Sequence, residues 1–190
     1  MTLKPRSIDL SFEDLFLKTH LHSQSSNAIK CPIMENISNR ALISRLYSTA
    51  NQQLEDANFD TENWSEWYQV VQGLTGPEKM VFVIVKLNQT VTNGGFAEFY
   101  ETSYGIFAPE IIHALNEIKA TASAEIVFNS LPMVNPMGLL DDAYKAFVFK
   151  LQLSDSQRTL LQSLDIRYDQ LQDQENLEDL LGNYLQEMIK

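Results

Sequence analysis

Val91-Thr-Asn-Gly-Gly-Phe-Ala-Glu-Phe-Tyr-Glu-Thr-Ser-Tyr-Gly105 carries the strongest structural signal in this chain. The paired glycines after Asn93 can adopt positive φ angles at little steric cost. The aromatic residues that follow recur at i, i+3, i+4 and i+8, the spacing of one helical face: Phe96, Phe99, Tyr100 and Tyr104. We therefore predict a sharp turn that leads into a helix with buried aromatic side chains. The residues of this structural motif are Asn93, Gly94, Gly95 and Phe96.

The segment before this turn can be interpreted in two ways. Val81 to Val85 is rich in β-branched residues, which favours a buried strand with a hairpin turn at Asn93–Gly94. However, Thr75 and Glu78 have the spacing of a capping box, and Pro77 suits the first turn of a helix. The aromatic spacing after the turn is also helical and does not alternate. We therefore predict a helix that is buried on all sides.

The rest of the chain also predicts helices. Ser38, Ser154 and Asn176 stand where N-caps are expected, and apolar stripes follow each of them. Prolines at 132 and 136 are expected to break a helix after Leu131, and a further helix is expected over 139–153. These patterns predict an all-α, irregular multi-helix globular domain of about eight helices.

The N-terminal residues have a different character. Residues 1–31 combine one short apolar segment with a polar stretch that lacks periodicity, which is typical of an appendage and linker. We therefore divide the chain into an N-terminal appendage, 1–31, and an all-helical domain, 32–190.

Composition excludes several classes of function. The single cysteine, Cys31, excludes an internal disulfide bond, and the longest apolar run is too short to span a bilayer. No secretory leader pattern appears, so we expect a cytoplasmic protein without membrane contact. His20 and His22 lack further metal ligands nearby, and His113 lacks a catalytic constellation. We expect no catalytic residues, no metal and no cofactor.

The charge is strongly and unevenly negative. The net charge is −11, and two blocks carry the excess: residues 51–110, with nine acidic and two basic residues, and residues 151–190, with eight and three. Such a field repels nucleic acid and anionic membranes and attracts basic partners. Direct binding of nucleic acid is therefore not expected.

Several carboxylates are spaced in a way that suggests a binding face. Asp165, Asp169 and Asp173 recur at i, i+4 and i+8, so a single helix would hold them in one row at a cost from like-charge repulsion. Rows of helical carboxylates can imitate the phosphate charges of duplex DNA. A solvated helix face is the plain alternative. The predicted acidic face comprises Asp165, Asp169, Asp173, Glu175, Glu178, Asp179, Glu98 and Glu101.

The glycine-phenylalanine motif at 93–96, with Phe99-Tyr100-Glu101, Ser103 and Gly105, resembles the signature of the bacterial DNA-mimic (DMP-type) family of small acidic helical proteins. The resemblance covers roughly residues 37–190. It implies an all-α fold, frequent homodimers and a basic partner such as a DNA-binding protein or transcription regulator. A non-enzymatic DNA mimic is the function that it implies.

Two alternatives remain open from the sequence. One is an enzyme with Glu98 or Glu101 as acid or base in a cleft beside the turn at 93–105. The other is a small helical immunity or interaction protein whose acidic residues are scattered over the surface.

Overall fold

The computed structural model of the chain describes residues 37–57, 63–171 and 173–188. Within these ranges it contains helices and no strand, so the all-α prediction is confirmed. The predicted appendage lies outside the described residues. The helices are α1 Asn39–Asp56, α2 Trp64–Gln72, α3 Gly76–Glu101, α4 Ala108–Glu117, α5 Thr121–Val134, α6 Asp141–Val148, α7 Asp155–Leu171 and α8 Leu177–Met188, with a 3-10 turn at Tyr104–Phe107.

Helix α3 is the centre of the core, and it packs against α1, α4, α7 and the 3-10 turn. Its segment Val81–Val85 is buried on every side, with each side chain at most 8% exposed. Because this segment lies within a helix, the strand interpretation is wrong. The helix begins with the predicted capping box, in which the Glu78 carboxylate accepts hydrogen bonds from the backbone N–H and the hydroxyl group of Thr75.

The predicted turn is a kink inside α3. Gly95 has φ 74° and ψ −176°, a conformation that is essentially restricted to glycine, and Gly94 is also non-helical. After the kink, Phe96, Phe99 and Tyr100 are fully buried. Tyr104 lies beyond the end of the helix, in the 3-10 turn, and is only partly buried.

The ends of the other helices follow their local signals. At the starts of α1, α7 and α8, backbone N–H groups donate hydrogen bonds to the side-chain oxygens of Ser38, Ser154 and Asn176, respectively. Helix α8 packs on α1, where the Asn39 amide donates a hydrogen bond to Asn183 at 3.0 Å. The last helix thus returns to the first described one.

Two predicted boundaries are wrong. Pro132 does not end α5, which continues to Val134: a proline removes only its own N–H donor, and Asn135 N–H still bonds to Leu131 C=O at 2.8 Å beyond it. The helix predicted over 139–153 is confined to Asp141–Val148. The Asn135 side chain bonds both the N–H and the C=O of Leu139, which holds the preceding residues in a turn.

Candidate functional site

The kink in α3 leaves one backbone N–H group free to bond outside its helix, and the carboxylate of Asp165 in α7 accepts a hydrogen bond from it. Phe96 N–H donates to Asp165 Oδ1 at 2.7 Å, because the non-helical glycines leave it without a partner in its own helix. Asp165 is therefore half-buried between two helices. The predicted repulsion at this position is offset by a charge-assisted hydrogen bond.

The ionisation of Asp165 is coupled to folding. Burial raises the pKa of its carboxyl group, and the hydrogen bond from Phe96 lowers that pKa and offsets part of the shift. Because the pKa is raised in the folded state, this group stabilises the fold below the ordinary aspartate pKa. That contribution is lost as the pH rises through the folded pKa.

Asp165→Asn tests this coupling, because the amide keeps an acceptor for Phe96 N–H but cannot ionise. As the pH falls from 7 to about 3, the free energy of unfolding of the wild type should rise relative to that of the variant. Urea denaturation at each pH measures the difference. A difference that is constant, or that changes in the opposite direction, would contradict the assignment.

Glu175 also holds the fold together. Its two carboxylate oxygens accept the backbone N–H groups of Ala122 and Ser123 and the Ser123 hydroxyl group, each at 2.8 Å. These N–H groups belong to the first turn of α5, where helical partners are missing and the helix dipole favours a negative charge. The Glu175 carboxylate thus fastens the segment between α7 and α8 to the start of α5.

Glu101 and Glu98 lie on α3 after the kink, and each is partly buried. Glu101 accepts a hydrogen bond from Leu153 N–H at 3.0 Å and pairs with Arg158. The Glu98 side chain covers Gly94, where a Cβ atom would overlap it. Glu101 therefore anchors the segment that leads into α7.

Four of the predicted acidic residues lie at the end of α7, in the turn after it and in the first turn of α8, and we call them the acidic end: Asp169, Asp173 and Asp179, which are exposed, and Glu178, which is half-buried. Asp169 lies in the last turns of α7, whereas Asp173 lies in the turn after that helix ends at Leu171. The single-helix row of three aspartates is therefore wrong at its last member. None of the four carboxylates forms an ion pair with any residue that the structure describes.

The sequence around these acidic residues contains one basic residue. Arg167 is the only basic residue between 165 and 179, and its guanidinium group lies 3.7 Å from Glu125 of α5. The sequence pattern did not reveal this pairing, or that of Arg158 with Glu101, because both partners are distant in the chain. No ion pair among the described residues therefore neutralises the acidic end.

Two of the cavities bounded by described residues, of about 390 and 300 Å³, border α4, and neither of these two is lined by Glu98 or Glu101. Within the described ranges, no cluster of three or more histidine, cysteine or acidic side chains is arranged to hold a metal ion.

Comparison with known protein families assigns the chain. The DMP19-like protein family matches residues 72–188, which is more than half of the chain. The chain belongs to the DMP19-like protein family. This is a family of DNA mimics, which are generally not enzymes and bind DNA-binding proteins. The match confirms the resemblance that the motif at 93–96 indicated.

The family match covers the kink, α7 and the acidic end, and it begins at the last residue of α2. No curated protein and no solved structure matches the chain. In the part of the chain that the structure describes, no helix combines the length and the apolar character that crossing a membrane requires.

Proposed function

We propose that this chain is a non-enzymatic binding protein that engages a basic DNA-binding protein, such as a transcription regulator, through its acidic end. The observation that carries the proposal is that four carboxylates without ion pairs lie within residues 169–179, from the last turns of α7 to the first turn of α8. Membership of a DNA-mimic family supports the class of partner.

Hydrogen bonds to neighbouring helices fix residues beside the acidic end. The Glu175 bonds to α5 and the Asn176 cap of α8 tie these two residues of the turn to neighbouring helices. A charged surface that is already ordered loses less conformational entropy when a partner binds. In this proposal Asp165, Glu175 and Glu101 hold the surface in place, while the acidic end and Glu98 face the partner.

Electrostatics favour a basic groove as the partner surface. Duplex DNA carries one charge per about 1.7 Å of its axis, and basic grooves are built to neutralise such a density. A dense group of carboxylates attracts the same groove and accelerates association at low salt. The homodimer that the family resemblance implies stays a prediction.

Charge reversal tests the proposal. The triple variant Asp169→Lys, Asp173→Lys and Asp179→Lys should bind the partner at least about tenfold more weakly at low salt, because it places repulsive charges in the contact. The partner is first isolated by affinity capture from native lysate at low and high salt. Its affinity for the wild type and the variant is then measured by calorimetry at both salt concentrations, with duplex DNA as a competitor.

A control of equal charge separates a local surface from the total charge. Glu55, Asp56 and Glu187 are exposed and lie outside the acidic end, so their reversal to lysine should change the affinity little. Equal losses in both triple variants would favour the alternative of scattered acidic residues. Unchanged affinity in the first variant, or a partner that duplex DNA does not displace, would refute the proposal.

A further inference from the structure

A largely apolar cavity of about 390 Å³ lies beside α4, the end of α5 and the start of α6. Its apolar walls include Leu131, Pro132 and Leu139, and three side chains contribute charged groups: Glu110, Asp141 and Lys145. This volume falls within the range of small-molecule sites, which combine apolar walls with a few polar groups.

Glu110 lines this cavity and also the cavity of about 300 Å³, and one of its carboxylate oxygens is an unpaired acceptor. Its Oε1 accepts a hydrogen bond from the Tyr68 hydroxyl group at 2.6 Å, whereas its Oε2 is buried and has no donor within the described chain. A buried carboxylate oxygen without a donor is costly, and few such groups persist without a reason. Because the terminal torsion of glutamate is broad, the Glu110 carboxylate can rotate to meet a donor that binds in the larger cavity that the side chain lines.

The neighbouring cation is engaged elsewhere. The ammonium group of Lys145 lies 4.2 Å from the centroid of the Tyr68 ring and 3.3 Å from Asp142 Oδ1. Lys145 thus has a cation–π interaction and an ion pair, and neither involves Glu110 Oε2. Glu110 Oε2 is therefore available to accept a hydrogen bond from a donor outside the chain.

We propose that this cavity binds an organic cation, an ammonium or guanidinium group on an apolar stem, with Glu110 Oε2 as its acceptor. The stem packs on the apolar walls, and the charged head donates to the buried oxygen. Such a cation is either a free small amine or a lysine or arginine side chain of another protein. The proposal does not depend on the acidic end, since none of its residues lines this cavity.

Nuclear magnetic resonance titration of the full chain tests the proposal. The probes are butylammonium, butylguanidinium, neutral 1-butanol and a capped tripeptide with a central lysine, and the signals followed are the backbone amides of residues 135–145. The two alkyl cations should bind at least about tenfold more tightly than 1-butanol, because only they supply a charged donor. A tripeptide that binds as well as butylammonium identifies a protein side chain as the source, and one that does not bind identifies a free amine.

Matched variants assign the preference to Glu110. Glu110→Gln should reduce cation binding about tenfold and leave 1-butanol binding unchanged. Glu117→Gln makes the same chemical change on α4 in the other cavity, and it should leave both unchanged. If Glu110→Gln does not fold, Tyr68→Phe leaves the carboxylate in place without its internal donor and should bind the cations at least as tightly as the wild type.

Four outcomes would overturn the proposal. They are the absence of saturable shifts with either cation, equal affinity for 1-butanol and the cations, unchanged cation binding in Glu110→Gln, and an equal loss in Glu117→Gln. In the fallback variant, weaker cation binding than in the wild type would overturn it as well.

Discussion

Gly95→Ala is expected to lower the free energy of unfolding by about 2–4 kcal/mol, because two penalties combine at the kink of α3. The φ of 74° with an extended ψ lies in a region that residues with a Cβ atom rarely adopt. In addition, the new Cβ atom would overlap the Asp165 carboxylate and displace it from Phe96 N–H. The backbone donor beneath it would then lose its partner. Urea denaturation followed by circular dichroism measures the change.

Gly76→Ala is the matched control for this substitution. Gly76 is the first residue of α3, and no atom lies within 4 Å of a Cβ added there. Alanine at this position should be neutral or slightly stabilising because of its higher helix propensity. Removal of the Asp165 side chain from the Gly95→Ala background should relieve the overlap, so the two substitutions should not be additive. Equal stability of the two alanine variants would contradict the role given to the kink.

Glu175→Ala should cost about 2–4 kcal/mol of stability, the second largest effect that the structure predicts. The substitution removes an ionised acceptor from two backbone N–H groups and one hydroxyl group at the start of α5. It also removes a negative charge from the positive end of that helix. Chemical denaturation measures the stability, and amide hydrogen exchange at Ala122 and Ser123 should become faster.

Glu178→Ala serves as the comparison for Glu175→Ala. It also deletes a glutamate carboxylate from the segment beside α8, but Glu178 has no ion pair and lies in the first turn of its own helix. Its removal should cost less than about 1 kcal/mol, the usual size of a charge–dipole interaction. If both substitutions lower the free energy of unfolding equally, the hydrogen bonds of the Glu175 carboxylate to the start of α5 do not have the stabilising role assigned to them.

The starts of several helices could be predicted from the sequence, because their capping motifs are local. The capping box of Thr75 with Glu78 and the N-caps at Ser38, Ser154 and Asn176 act within one helical turn. Their geometry depends on residues that are neighbours in the chain, so the pattern is sufficient. The glycine-aromatic motif worked for a similar reason, because only glycine fits the backbone conformation found at Gly95.

Boundaries that depend on distant residues were wrong. The helix predicted over 139–153 stops at Val148, and the following segment is held by Leu153 N–H bonding to Glu101 of α3. Its apolar pattern continues past that end, so periodicity alone overestimates its length. Leu160 follows the Ser154 cap as one of the apolar residues of α7, but it is 52% exposed, because packing buries only part of that apolar stripe.

The sequence by itself determined an all-helical domain, its main helix starts and an excess of negative charge, because these depend on local periodicity, capping and composition. Only the tertiary structure decided which carboxylates remain available to a partner. Asp165 and Glu175 bond to N–H groups 69 and 53 residues away, whereas Asp169, Asp173 and Asp179 stay exposed. Unpaired backbone donors arise at a kink or a helix start, and the carboxylate that meets them is selected by packing, which spacing along one helix does not encode.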